Sequence, residues 1–127
     1  MLLTEDLKEL YARALIAIVR AEGSIDADEG ERLAERVQLR SGASLEDLLL
    51  TGTLQPEELV EALRGGPFRG ESVRTEQLGH MLVEDALYVA LAKGHVTPEE
   101  GHRMWRFAMA LGMSDDAFHT LTHRWLP

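Results

Sequence analysis

The sequence predicts an all-α protein of about seven helices, two pseudo-symmetric helical-hairpin halves around a central buried helix. Three observations carry this reading. Apolar residues recur at three- and four-residue spacing along nearly the whole chain. No alternating run bounded by turn residues marks a strand. And one twelve-residue phrase occurs twice, as "AEGSIDADEGER" at 21–32 and as "AKGHVTPEEGHR" at 92–103.

The elements follow in order. From Thr4 to Glu22 the residues Leu7, Leu10, Ala14, Ile18 and Ala21 form an apolar stripe, widened by Leu15, Ile16 and Val19. A second helix runs from Asp26 to about Arg40 through Leu33 and Val37, and "SGAS" ends it. Ser44 caps a short helix to Leu50, with Glu46 and Asp47 in its favourable first turn. "QPEELVEALRGG" is a compact helix with Pro56 at its first position and Gly65 just past its end. Residues 65–73, "GGPFRGESV", are irregular and divide the chain into halves 1–64 and 74–127 of a single domain spanning 1–127. The long helix from about Arg74 to Lys93 is apolar nearly all round over "MLVEDALYVALA", as a central helix must be. Thr97–Leu111 and Ser114–Trp125 complete the set.

The repeated phrase reads first as helix punctuation. Gly23 and Gly94 stand where a helix closes in the left-handed conformation, which costs glycine nothing because it lacks a Cβ. Ile25 and Val96 then tuck between two helices, and a capping box opens the next one: Asp26 with Glu29, Thr97 with Glu100, with Pro98 at the first helical position. Glycine in the following turn, Gly30 and Gly101, costs about 1 kcal/mol relative to alanine, so a close backbone neighbour is expected at both. Beyond the phrase, "SGASLEDLL" (41–49) echoes "LGMSDDAFH" (111–119), consistent with an internal duplication.

Composition narrows the function. Residues 1–63 hold 14 acidic and 6 basic side chains, within a whole-chain net charge of −9. The basic residues are scattered singly, which argues against nucleic-acid binding. The longest apolar runs, "ALIAIV" and "ALYVALA", are far short of the roughly 20 residues that span a bilayer, so no membrane insertion is expected. The chain has no cysteine, which excludes thiolate chemistry and suits a reducing compartment. Its N-terminus lacks a basic leader, so a cytoplasmic location is expected.

The phrase resembles the mark of the TerB-like family, which includes tellurite-resistance TerB proteins and N-terminal domains of some DnaJ-type membrane co-chaperones. That mark is an apolar helix ending in A-D-G-x-I-x-x-x-E, found twice in an all-helical domain. "AEGSIDADE" (21–29) and "AKGHVTPEE" (92–100) match it in alanine, glycine, apolar residue and glutamate, and the likeness extends to "LGMSDDAF". The resemblance implies a stress-response module, linked to toxic oxyanions, with a divalent cation held by acids near the turns. Carried over, the metal ligands are Glu22, Asp26, Asp28 and Glu29 of the first turn. The family aspartate is Glu22 in the first copy and Lys93 in the second, which removes a donor oxygen and adds a repelling charge.

Other constellations are weaker. "DADEGE" (26–31) is no EF-hand, because Gly30 falls at position 5 and Val37 at position 12. Glu99 and His102 have E-x-x-H spacing, but di-iron bundles need two such motifs. His119 and His123 share a helix face and supply only two of the ligands a zinc site needs. Asp85, on a helix that reads as buried, must be paired, and Arg13–Glu84 or an arginine–Asp85 pair is the preferred arrangement. Asp85, Glu99, Glu100 and His102 form a secondary set of metal candidates. No nucleophile elbow, phosphate loop or metalloprotease motif occurs, so no enzyme is expected.

The leading expectation is therefore a non-enzymatic interaction or stress module, partnered by a protein or by a second copy of itself. One alternative is a small metal-dependent enzyme or metal-storage protein using the acids with His80 or His102. Another is a purely dimerising accessory domain. The segment "FHTLTHRWLP", with Phe118, Leu121 and Trp125 at helical spacing, is either core or a dimer seam.

Overall fold

The computed structural model describes residues 5–21, 23, 25–65 and 72–126, so Glu22 and most of the 65–73 connection lie outside the described residues. Within these the chain forms seven α-helices and no strand: α1 Glu5–Val19, α2 Ala27–Ser41, α3 Leu45–Leu49, α4 Pro56–Gly65, α5 Ser72–Ala90, α6 Pro98–Ala110 and α7 Asp115–Trp125. A 3-10 turn, Leu91–Lys93, extends α5 to the position where the sequence ends that helix.

The caps fall where side-chain chemistry places them. Asp26, Ser44, Thr97 and Ser114 each accept a hydrogen bond from the backbone N–H three residues on, opening α2, α3, α6 and α7. Gly23 and Gly94 take φ of 85° and 95°, the left-handed conformation that closes the helix before each repeated turn. Gly65 is the last residue of α4 rather than the first beyond it, a one-residue difference typical of helix ends.

One hydrophobic cluster runs through the molecule. Helix α5 packs against α1, α2, α6 and α7, and buries Leu78, Leu82, Val83, Ala86, Leu87 and Val89. It shares the centre with α1. From Tyr11 to Val19 every α1 side chain except Arg13 is buried, a far wider face than the expected stripe. The cause is position: α1 contacts five other helices, α2 to α6, and so has almost no solvent side. Helices α3 and α4 cover α1 from outside, anchored by Leu48, Leu59 and Leu63. Phe118 and Leu121 of α7 are buried in the core and Trp125 packs against it, which assigns the C-terminal segment to the core.

The two helix-start glycines are not sites of backbone approach, contrary to expectation. A Cβ at Gly30 meets only a methyl of Ile25 at 3.8 Å, and one at Gly101 a methyl of Val96 at 3.9 Å, both ordinary contacts. The turn's own apolar residue folds back over the glycine. The tight position is Gly79 of α5, where a Cβ would stand 3.2 Å from Met113 and 3.3 Å from the Cβ of Leu111.

Candidate functional site

The two copies of the repeated phrase meet. Glu29 opens α2 and Glu100 opens α6, each at the third helical position after its cap, and both are buried. A carboxylate taken out of water needs a partner. Lys93, last residue of the 3-10 turn, provides it for both: its Nζ donates to Glu29 Oε2 at 2.8 Å and to Glu100 Oε1 at 2.7 Å, and a contact with the Ala90 carbonyl at 3.4 Å completes its three donors.

The two glutamates are held differently. Glu100 closes a full capping box, accepting the Thr97 backbone N–H at 3.0 Å as well as the lysine. The first box is only half made: Asp26 caps the Glu29 N–H at 2.8 Å, and the Glu29 carboxylate turns to Lys93. The charge states follow. Burial works to raise the Glu100 carboxyl, but the bonds from Lys93 and Thr97 outweigh it and leave Glu100 below its ordinary value. Burial raises Glu29, and Lys93 only partly offsets this, with Glu100 adding to the rise. Glu29 is therefore the carboxyl that takes up a proton first. Lys93 is raised: burial alone would lower it, but the bonds to Glu100 and Glu29 prevail.

A second buried carboxylate, Asp85, has its own set of partners. Tyr11 of α1 donates its hydroxyl to Asp85 Oδ2, and Arg40 of α2 forks onto both oxygens at 2.9 and 3.2 Å. Arg36 Nε stands 3.7 Å away. Burial first, and then the adjacent Asp85 charge, push the Tyr11 hydroxyl well above its ordinary value, which keeps it a donor. Arg36 and Arg32 lie 4.3 and 4.8 Å from the centre of the Tyr88 ring. The expected arginine–Asp85 pair thus exists, with Arg40 and Arg36. Arg13 does not pair with Glu84. It bonds the Gly52 carbonyl at 3.3 Å, and Glu84 accepts from His80 at 2.9 Å.

No family model, curated protein or solved structure matches this chain.

The remaining candidates stay apart. Glu22 lies outside the described residues. Asp26, Asp28, Glu99 and His102 are exposed, and His102 stacks on Trp105 with ring centres 6.0 Å apart. His119 contacts Asp115 at 3.4 Å, and His123 is exposed on the same helix. Among the described residues no group of three or more histidine, aspartate or glutamate side chains gathers closely enough to hold a metal ion. The one pair of buried carboxylates that converges, Glu29 and Glu100, already encloses an ammonium, and these two as they stand do not fit a divalent cation. Sequence reasoning missed Lys93 as their shared partner, and Tyr11 and Arg40 as the partners of Asp85. The signal for Lys93 was present: two equivalent glutamates on core-facing turns need a cation, and the second copy puts one where the first has an acid.

Proposed function

We propose that the protein is a non-enzymatic, cytoplasmic interaction module of the TerB type, and that its acidic first half docks a basic protein partner. One observation carries the reading. The buried carboxylates are matched within the fold, while the described carboxylates of the first half that remain, including Asp28, Glu31, Glu46, Asp47 and Glu61 on α2 to α4, are exposed. Leu50, beside the end of α3, is 88% exposed and offers an apolar contact next to this acidic exterior. Such a surface steers a positively charged partner in a salt-dependent way. Support for the TerB type comes from the duplicated A-x-G-x-[IV]-x-x-x-E turn. Of the two variants of this reading, with and without a metal ion, the variant without is preferred, because Lys93 supplies the positive charge between the turns.

The test compares two double charge reversals that change net charge equally: Glu31→Lys/Glu61→Lys in the first half and Glu99→Lys/Asp116→Lys in the second. Binding of a lysine-rich peptide is measured for each by fluorescence anisotropy. The first-half variant is expected to lose at least tenfold in affinity and the second-half variant little. Equal losses show attraction by net charge alone and refute a docking face on the first half.

A further inference from the structure

Basic residues are outnumbered in this chain, yet three arginines converge where no carboxylate among the described residues meets them. Arg13 and Arg20 lie seven residues apart, so Arg20 follows α1 on the face that Arg13 occupies. Arg103 comes from α6, anchored by a 2.9 Å bond from its Nη1 to the Ala17 carbonyl. With the connection between α3 and α4 they enclose a pocket of about 340 Å³, lined further by Thr51, Thr53 and Gln55. No acidic side chain is among its described lining residues, and none of the three guanidiniums is in an ion pair among the described residues. Three arginines elsewhere do have carboxylates: Arg40 and Arg36 have Asp85, and Arg106 has Glu57 at 3.1 Å.

A second observation points the same way. Arg13 Nε is buried and has no hydrogen-bond partner. Buried donors without acceptors are rare in folded proteins; Arg36 Nε beside Asp85 is the other one here, and the one at Arg13 belongs to a side chain that lines the pocket. Guanidinium groups match the oxygens of phosphate by geometry and retain their charge at every accessible pH. Three positive charges with no counter-charge among the described residues favour a doubly charged anion over a carboxylate. The volume exceeds what a bare anion fills, and Ile16, Ala17 and Leu48 give the rest of the lining an apolar character.

We propose that this pocket binds a phosphate-type dianion, either free phosphate or the head group of a small phosphomonoester whose body lies against Ile16 and Leu48. Arg20 and Arg13 hold the anion, Arg103 closes the third side, and the threonine hydroxyls and Gln55 serve as neutral donors. This site is separate from the acidic docking face and does not depend on it.

Calorimetric titration of the full chain with inorganic phosphate, phenyl phosphate and acetate, at ionic strength held constant with sodium chloride, tests the assignment. Saturable one-site binding of a phosphate probe is expected, with acetate at least tenfold weaker. Arg20 is exposed, so Arg20→Gln leaves the fold intact, which its unfolding midpoint verifies, and it is expected to weaken binding at least tenfold. Arg64→Gln, an exposed arginine outside the pocket, is expected to bind as the unaltered chain does. Tighter binding of phenyl phosphate identifies an ester as the ligand, and equal affinities identify the free anion. Either supports the site. It is overturned if neither phosphate probe binds, if acetate binds as well as phosphate, or if Arg20→Gln binds as tightly as the unaltered chain.

Discussion

Lys93 holds two carboxylates, one seven residues ahead of it and one 64 residues behind. Removing its charge leaves Glu29 and Glu100 facing each other out of water. Lys93→Met is expected to cost about 3–5 kcal/mol at pH 8, the usual penalty for stripping one partner from a buried ion pair. The pH dependence gives the mechanism. Without the ammonium both carboxyl pKa values rise, so the variant binds protons more tightly folded than unfolded and regains stability as pH falls from 8 to 5. In the unaltered protein the lysine's raised pKa means its contribution is complete at neutral pH and is lost only as pH rises beyond the ordinary lysine value of 10.5. The lowered Glu100 loses its contribution as pH falls through the carboxylate range, and the raised Glu29 acts in the opposite sense there. Urea midpoints of both proteins at pH 5 and 8 check this. A variant equally destabilised at both pH values contradicts the buried-carboxylate account.

At the scale of the helix, glycine marks two different physical situations that look alike in sequence. Gly30→Ala and Gly101→Ala place a methyl in ordinary contact with Ile25 or Val96 and restrict the unfolded chain. Each is expected to stabilise by about 0.5–1 kcal/mol. Gly79→Ala gains the same propensity but drives its methyl against the Cβ of Leu111, which cannot rotate away. Overpacking costs about 1–3 kcal/mol, so this variant is expected to melt below the unaltered protein. Denaturant unfolding of the three variants orders them, and a Gly79→Ala protein as stable as Gly30→Ala contradicts the close approach. The contrast also shows what sequence can convey. Helix existence, caps and turns were legible because they depend on residues three or four apart, as with Thr97 and Glu100. The tight spot at Gly79 was not, because it depends on Leu111 and Met113, more than thirty positions away.

At the scale of the whole molecule, two of the three buried carboxylates described above, Asp85 and Glu29, are partnered across the halves. Tyr11 and Arg40 of the first half reach Asp85 of the second, and Glu29 reaches Lys93. Arginine pairing with Asp85 could be expected from its apolar surroundings. Which arginine could not, since Arg13, Arg36 and Arg40 are all one chain fold away and only packing of α2 on α5 selects among them. Because α1 buries nearly its whole circumference using α5 and α6, residues 1–64 made as a separate peptide are expected to show no cooperative unfolding. Circular dichroism during urea titration checks this, and a sigmoidal transition refutes it. The order of synthesis gives the same feature another meaning. Glu29, Arg40 and Tyr11 leave the ribosome before Asp85 and Lys93 do. The nascent first half therefore emerges with apolar helices whose ionic partners follow it out of the ribosome, and it must wait for the last third of the chain before it can close.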